Sequence, residues 1–397
     1  MESKKKVSVL YILTKLELGG AQKVCLALLK GIKEKKSFSS LISGSQGVLI
    51  SQAKKIGNTY LLNDFKREVS IKNLFREIKT FFQLIKKIKE LKKKNKDLIV
   101  HTHSTKAGIL GRWAAFFAGV RVRVHTVHGF GFHEFQNKIV WTIIYLIEYF
   151  TSFITTHYIC VSRNDIEIGK KYLSKFEQKN SLIRAAVEWE KFYLPAVKVQ
   201  EKFRASVKIK NFPLHKNFVI GTISCLKPQK NVFDLLKAFK RVTQNELIKQ
   251  KSIRPTLQII GDGVLRPQIE EWIYLNKLTL QIQLLGWQND TSQYVKQWNL
   301  FAMSSLWEGL PCAIIEARLS RLPVISYNIS GISEVIFNGK NGFLIQPGRW
   351  DYLAKKMEEI ILDRDLSQKL SIYQDSLDDF YNKNMVDKHL NLYRQLI

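Results

Sequence analysis

Short apolar runs alternate with longer segments whose apolar residues recur every three or four positions, and this alternation continues along the chain. Runs of four to eight apolar or β-branched residues are typical of buried strands, and the longer recurrence is typical of helices that bury one face. Strands that alternate with helices indicate βαβ units and parallel sheets. The pattern therefore predicts an α/β fold.

The strand predictions fall into two sets, separated by a polar and irregular stretch at residues 188–217. The first set is 7–13, 40–44, 98–103, 122–127 and 157–162, and the second is 218–224, 257–261, 282–286, 300–305, 322–327 and 342–347. We expect two doubly wound, Rossmann-like domains at residues 1–195 and 205–382, facing across a cleft at the carboxyl ends of their strands. A length of 397 residues also favours two domains.

The longest apolar stretch, residues 139–159, contains Glu148 and His157. A charge at the centre of a membrane span costs roughly 2.5 to 3.5 kcal/mol. Its apolar residues recur at helical spacing, so we predict a core helix. The apolar run 7–13 is short and precedes charged residues, which predicts a strand rather than a signal peptide. The four cysteines are far apart, which indicates neither a disulfide framework nor a zinc site and fits a cytoplasmic protein.

The net charge is +29, and most of the excess lies in the first half, where residues 1–200 carry 36 Lys and Arg against 15 Asp and Glu. The densest part, residues 81–96, predicts an amphipathic helix with a basic face. We expect its apolar side to pack on a sheet, with these residues: Phe81, Phe82, Ile85, Ile88 and Leu91. Its lysines are either solvated or meet anionic lipid. Nucleic acid is the other usual partner of a basic protein, but no helix-turn-helix, zinc or RNP signature is present.

The stretch EGLPCAIIEA, residues 308–317, lies between a predicted strand and a helical pattern. Proline suits the first turn of a helix, so the helix should begin at about Pro311, with Glu308 in the loop and Glu316 inside the helix. Amides at a helix start suit a diphosphate, and Glu316, roughly 7.5 Å further along, suits the ribose of a nucleotide sugar. The alternative is that Glu308 is a surface residue and Glu316 a half-buried one. Spacing alone does not decide between the two.

Other loops at predicted strand ends carry candidate phosphate contacts. In CLKPQKN, residues 225–231, we favour Lys230 over Lys227 as the group that neutralises a departing phosphate. Gly19 and Gly20 would let a phosphate approach the backbone, although a plain strand-to-helix turn stays open. GDG at 261–263 predicts only a tight turn. DRD at 363–365 lies in a late helical stretch and does not indicate a metal site.

The histidines come in pairs at predicted strand ends, and these stretches lack the cysteine or carboxylate ligands that are typical of a metal site. They are His101, His103, His125 and His128. We expect core histidines, with one or two reaching the cleft and His128 contacting the reacting sugar.

Together these motifs resemble the family 4 retaining glycosyltransferases of GT-B architecture over nearly the whole chain. EGLPCAIIEA resembles the E-x7-E element, GGAQ the N-terminal glycine loop, and residues 101–112 and 124–132 the acceptor-side segments. The final helix, 383–397 in our domain assignment, resembles the one that returns to the N-terminal domain. Two positions depart from the family. Cys225 replaces a usual arginine, so one phosphate contact is either missing or supplied elsewhere, with Lys227 as the candidate, and Ala185-Ala186 replaces a common Asn-Gly.

The resemblance implies a role for each matching residue. The implied catalytic residues are His128 and Glu308 at the donor sugar and Lys230 at the diphosphate. The implied donor-binding residues are Glu316 at the ribose, Gly19 and Gly20 at the phosphates, Gly286 and Trp287 at the base, and Lys227, Gly309, Leu310, Pro311 and Cys312 around the diphosphate. Enzymes of this family use no cofactor and no essential metal, and they retain the anomeric configuration.

The implied function is sugar transfer from a nucleoside diphosphate, with UDP expected, to a lipid-linked or growing bacterial surface glycan. We expect a cytoplasmic enzyme held peripherally at the inner face of the cell membrane by its basic half, and no nucleic-acid partner. Two alternatives stay open. One is an epimerase or phosphorylase of the same architecture, and the other is a basic nucleic-acid-binding protein without catalysis.

Overall fold

The computed structural model describes residues 6–66, 74–195, 198, 217–373 and 375–397. The chain divides into two compact units after Val187 and after Leu377, and the C-terminal segment belongs to the first unit. Most of the polar stretch in which we placed the domain boundary lies outside the described residues. The limits predicted at 195, 205 and 382 therefore stay predictions.

Strands and helices alternate along both units. The strands are β1 Ser8–Leu13, β2 Phe38–Gly44, β3 Asn58–Leu62, β4 Leu98–His103, β5 Val122–Val127, β6 His157–Cys160, β7 Asn180–Leu182, β8 Asn217–Ile223, β9 Arg254–Ile260, β10 Ile282–Gly286, β11 Leu300–Met303, β12 Val324–Tyr327 and β13 Gly342–Ile345. The helices are α1 Gly20–Glu34, α2 Ile50–Ile56, α3 Leu74–Lys94, α4 Thr105–Phe117, α5 Lys138–Ile154, α6 Arg163–Tyr172, α7 Trp189–Phe192, α8 Val232–Gln244, α9 Glu246–Gln250, α10 Arg266–Leu275, α11 Ser292–Val295, α12 Cys312–Leu319, α13 Trp350–Leu362, α14 Arg364–Ile372 and α15 Asn382–Leu396.

Each unit contains one parallel sheet whose strand order reverses once. The first sheet has the order β3-β2-β1-β4-β5-β6-β7 and the second β10-β9-β8-β11-β12-β13. The order reverses between β1 and β4 in the first sheet and between β8 and β11 in the second. Open sheets of this kind bind ligands outside the carboxyl ends of the strands at that point. The prediction of two doubly wound, Rossmann-like units is confirmed.

The predicted strands 98–103, 122–127 and 282–286 match β4, β5 and β10 to the residue. The prediction missed β3 and β7, which are the outermost strands of the first sheet. Both are only half-buried. Each of these short edge strands, NTYLL and NSL, contains two polar residues, so its sequence carries a weak apolar signal.

The lysine-rich helix α3 buries Leu84, Ile88 and Leu91 in a cluster with residues of β1 and β4. The prediction that Phe82 packs on the sheet is wrong, because its side chain is 63% exposed. The helix also begins earlier than expected, at Leu74. Helix α3 is therefore amphipathic and packs on the sheet as predicted, but fewer of its apolar residues contact the sheet than the sequence suggests.

The prediction of a core helix at 139–159 is also wrong. Helix α5 ends at Ile154, and most of its large aliphatic residues point outward, with Ile139 71% exposed and Ile143 52% exposed. Its buried side contains Glu148, which pairs with Arg112 of α4 at 2.9 Å. This polar contact fixes the helix with its apolar side outward. No helix among the described residues is long and apolar enough to span a bilayer.

The C-terminal helix α15 packs on α1 in the first unit. A bridge between Val187 and Tyr381 leads into it, and Ala186 N approaches Met385 Sδ at 3.4 Å. A Cβ atom at Gly31 would come within 2.5 Å of the Val386 side chain. Close approach of the two helices therefore requires glycine at position 31.

Candidate active site

Two loops meet where the order of the second sheet reverses. One follows β8 and carries Lys230 at the end of the short 3-10 turn Pro228–Lys230, and the other follows β11 and carries Glu308. Because β8 and β11 are neighbours, the carboxyl ends of both strands lie together. The structure thus brings Lys230 and Glu308 into the same place.

Lys230 Nζ and Glu308 Oε1 form an ion pair. The two side chains are only 16% and 12% exposed, so water screens the pair less than a surface pair. A cation and a carboxylate therefore lie together at the carboxyl edge of the sheet, where open sheets of this kind bind ligands.

One hydrogen bond between backbone groups and two from side chains to backbone oxygens hold these two loops together. Leu306 N donates to Gln229 O at 2.9 Å, and Gln229 Nε2 donates to Trp307 O at 2.6 Å. Ser304 Oγ donates to Asn231 O at 2.9 Å, and Asn231 adopts a left-handed φ of 45°. The position of Lys230 therefore depends on Gln229, Asn231 and Ser304, which the sequence analysis did not single out. Their only sequence signal is that they border the two predicted loops.

Helix α12 begins at Cys312, with Pro311 as its N-cap. This is one residue later than predicted. Glu316 lies in the helix and is only 4% exposed, which places it deeper than the half-buried alternative expected. Leu310 is also buried. A rise of 1.5 Å per residue puts Glu316 roughly 6 Å from Cys312 along the axis.

The GDG turn does more than reverse the chain. A Cβ atom at Gly261, whose φ is +130°, would lie 2.1 Å from Ser224 O, and one at Gly263 would lie 2.4 Å from Leu226 O. Leu226 N donates to Asp262 O at 2.9 Å. The glycines therefore let the loop after β9 pack against the backbone of the loop that contains Cys225.

The predicted base-binding residues lie at the end of β10. Gly261 N donates to Gly286 O at 2.8 Å, so the ends of β9 and β10 are joined. Gly286 has a φ of +65°, and Trp287 is 44% exposed. Lys227 and Cys225 are half-buried on the loop after β8. Roles for these side chains stay predictions.

In the first unit, the predicted glycine loop joins β1 to α1. Gly19 is the extended N-cap of α1 with a φ of −134°, and Gly20 is the first helical residue. Both are half-buried. A phosphate-binding role for this turn therefore stays a prediction, with a plain strand-to-helix turn as the alternative.

The paired histidines form one buried cluster with α15. His101 Nδ1 lies 2.5 Å from Tyr393 Oη, and His101 Nε2 lies 2.7 Å from Thr126 Oγ1. The His101 ring also stacks on His389, with centroids 5.8 Å apart. His101, His103 and His125 are buried, as expected for core histidines. The sequence analysis missed His389 and Tyr393, whose spacing of four places both on one helix face but does not identify what they meet.

Burial keeps these histidines neutral. It lowers the pKa of His101, His103 and His125 well below the ordinary 6.5, and neighbouring histidines lower these pKa values further. The charge of Arg112 also lowers the pKa of His125. Burial likewise lowers the pKa of His128 and His389 to about 4. His128 is half-buried, and its Nε2 lies 3.1 Å from His103 Nδ1. At neutral pH it offers an uncharged imidazole for hydrogen bonding.

The DRD stretch has a structural role. Asp363 is the N-cap of α14, and its Oδ1 accepts a hydrogen bond from Leu366 N at 2.9 Å. Within the described ranges, no group of three or more His, Cys, Asp or Glu residues is arranged to hold a metal ion.

Comparison with solved structures identifies the fold. The chain resembles Anabaena HepE, solved with UDP and glucose, with a TM-score of 0.76 and 17% identity over 98% of this chain and 100% of that one. It resembles sucrose-phosphate synthase of Thermosynechococcus elongatus with a TM-score of 0.78 and 15% identity over 98% and 99%. Two Rossmann-like units of this kind are the GT-B fold of glycosyltransferases.

Sequence comparison narrows the class to a family. Residues 18–175 match the model of Glycosyltransferase Family 4, and residues 203–376 match that of Glycosyl transferases group 1. The chain is 33% identical to the Escherichia coli UDP-Gal:alpha-D-GlcNAc-diphosphoundecaprenol alpha-1,3-galactosyltransferase over 99% of this chain and 98% of the relative. It is 28% identical to the Staphylococcus aureus capsular polysaccharide glycosyltransferase CapM over 69% and 70%. The chain belongs to glycosyltransferase family 4 and is a glycosyltransferase of bacterial surface-polysaccharide synthesis.

Proposed function

We propose that this glycosyltransferase transfers a sugar from a UDP-sugar donor to a lipid-linked or growing surface glycan. The transfer retains the anomeric configuration and needs no metal ion. The observation that carries the proposal is the Lys230–Glu308 ion pair at the reversal point of the second sheet, with Glu316 on the next helix. The E. coli relative is named for UDP-Gal and a diphosphoundecaprenol acceptor, which supports both the donor and the acceptor.

In the proposed complex, the donor lies along the carboxyl edge of the second sheet. Lys230 and the first amides of α12 contact the diphosphate, because both offer positive charge to an anion. Glu308 contacts the sugar hydroxyls, Glu316 the ribose, and Trp287 the base. His128 and the Gly19-Gly20 turn are the proposed contributions of the first unit.

The proposed reaction breaks one bond and forms one at C1 of the sugar. The acceptor hydroxyl oxygen bonds to C1 while the bond from C1 to the diphosphate oxygen breaks. The proton of the hydroxyl passes to the departing diphosphate on the same face, so the configuration is retained. Lys230 stabilises the negative charge that grows on the diphosphate, which is the form of stabilisation that accelerates a reaction. In this proposal its ammonium fills the role that a metal ion has elsewhere.

We further propose that the enzyme works at the cytoplasmic face of the membrane, where anionic lipid attracts its basic half. Exposed residues of α3, including Lys93 and Lys94, are the candidates for this attraction. Lys92 is not among these candidates, because its Nζ donates a hydrogen bond to Gly119 O at 2.6 Å, next to the end of α4.

Thermal unfolding against UDP, GDP, ADP and NAD tests the donor site. A ligand at 100 times its dissociation constant adds about 2.7 kcal/mol, which raises the midpoint by roughly 5 to 10 °C. We expect this shift with UDP only, and its loss in Glu316→Ala. The exposed Glu270→Ala on α10 is the matched control and should keep the shift. Equal shifts with every nucleotide, or none with UDP, would contradict the proposal.

A further inference from the structure

The outer side of α5 (Lys138–Ile154) is an apolar stripe on the surface of the first unit. Six large apolar side chains on this side are between 41% and 71% exposed: Ile139, Ile143, Leu146, Ile147, Phe150 and Phe153. Their spacing of three or four residues makes one continuous face. An exposed apolar face of this extent marks an interaction surface rather than ordinary scattered exposure.

Buried polar contacts hold the stripe in this orientation. Arg112 Nη2 donates to Glu148 Oε2 at 2.9 Å, and Trp113 Nε1 donates to Thr151 Oγ1 at 3.0 Å. Rolling the helix inward would break both contacts and bury apolar groups against charged ones. The apolar stripe is therefore a fixed feature of the folded unit.

We propose that this stripe inserts into the boundary between headgroups and acyl chains of an anionic bilayer. The inference rests on the proposed function, since a lipid-linked acceptor requires the enzyme at a membrane. Helices with one apolar face are typical of the membrane interface.

Charge favours lipid over a second copy of the chain. Helix α4 contacts both α3 and α5, so the three helices form one layer. Lys86, Lys89, Lys93 and Lys94 of α3 are exposed. An anionic bilayer complements both the lysines and the apolar stripe. Another copy would bring the same basic charge against this layer and be repelled.

Apolar insertion differs from adsorption by lysines in its response to salt. At 1 M ionic strength the Debye length is about 3 Å, so attraction between exposed charges is largely screened. We expect the full-length protein to stay bound at 1 M NaCl to vesicles of equal parts phosphatidylglycerol and phosphatidylethanolamine. Ile143→Ser, Ile147→Ser and Phe150→Ser combined should weaken this binding at least tenfold.

The matched control combines Tyr274→Ser, Leu275→Ser and Leu280→Ser in the second unit, where the three side chains are 76%, 69% and 93% exposed. It should bind vesicles like the unchanged protein. Unchanged vesicle binding by the α5 variant, or no binding by the parent at 1 M NaCl, would overturn the inference. So would a parent dimer that the α5 substitutions dissociate without changing vesicle binding, because the occupant would then be a second copy.

UDP binding, measured on the same three proteins, separates the two proposals. Retained UDP binding together with lost vesicle binding in the α5 variant supports the membrane face. If the parent fails to bind UDP but its vesicle binding depends on α5, the donor proposal fails and the membrane face stands.

Discussion

At the scale of single residues, the Lys230–Glu308 pair determines how the proposed donor site would receive its ligand. Glu308 is the anionic partner of the lysine. A diphosphate bound as proposed would therefore compete with Glu308 for the same ammonium group. This competition makes binding of UDP and transfer of sugar separable by mutation.

Glu308→Gln should separate them. Removing the carboxylate charge frees Lys230, so we expect UDP to bind as tightly as before or several-fold more tightly. Transfer should fall by roughly two orders of magnitude, as when one charge-stabilising group is removed from an active site. Calorimetric titration with UDP and initial transfer rates give the two values. A Glu308→Gln protein with unchanged transfer, or with UDP binding abolished, would show that the pair has another role.

The neutral histidine cluster makes the stability of the first unit depend on pH. His128 and His389 have a folded-state pKa of about 4 against an ordinary 6.5, so between these values the unfolded chain binds more protons. Stability is then complete above pH 6.5 and falls as the pH drops toward 4, by up to about 1.4 kcal/mol per unit of pKa difference. Burial raises the pKa of Tyr11 and Tyr393, which contact His101, and of Cys25 near these tyrosines, so these groups do not titrate in the acid range.

The midpoint of thermal unfolding, measured from pH 8 to pH 4.5, tests this dependence. It should be level above pH 6.5 and decline below it, and His389→Gln should make the decline shallower. His133→Gln is the comparison, since His133 is half-buried outside the cluster and its replacement leaves the cluster intact. A midpoint that stays level down to pH 5 would mean that the histidines are not held neutral.

At the scale of elements, the buried Arg112–Glu148 pair orients α5. Glu148→Ala leaves an unpaired guanidinium in the interior, and breaking a buried pair in this way costs about 3 to 5 kcal/mol. Urea denaturation should show this loss, whereas Glu167→Ala, which removes an exposed carboxylate of α6, should change stability by less than about 1 kcal/mol. A loss below 1 kcal/mol for Glu148→Ala would mean that other contacts orient the helix.

The same pair shows why sequence reasoning succeeded for some elements and failed for others. β4 and β5 were predictable because a buried strand is recognisable from its own apolar run. The positions of Lys230 and Glu308 at strand ends were predictable because their loops directly follow such runs. The orientation of α5 was not predictable, because periodicity identifies an apolar side of a helix but not whether that side faces the core or the solvent. Arg112, the residue that decides, is 36 positions away.

The histidine cluster illustrates a second limit. Its members come from β4, β5 and the last helix, so His101 and Tyr393 meet across 292 positions. Local pattern identifies each histidine as a strand-end residue, but only the fold assembles them. The resemblance to a family predicted that the last helix returns to the first domain without indicating its contacts.

At the scale of the whole molecule, the two units divide the work that the proposal requires. The first carries most of the positive charge, the apolar stripe of α5 and the histidine cluster, and the second carries the proposed diphosphate and ribose contacts. A chain built this way should recognise its donor mainly through one unit and its membrane surface through the other.

The most direct measurement is a nuclear magnetic resonance assay of the complete reaction. The purified protein is mixed with α-configured UDP-sugars and a lipid diphosphate-linked sugar acceptor in the presence of EDTA, and both UDP release and the anomeric signal of the product are followed. We expect stoichiometric UDP and an α-linked product, each lost in Lys230→Ala but not in the exposed Lys237→Ala. A β-linked product, or transfer that requires an added metal ion, would contradict the proposed retaining, metal-free reaction.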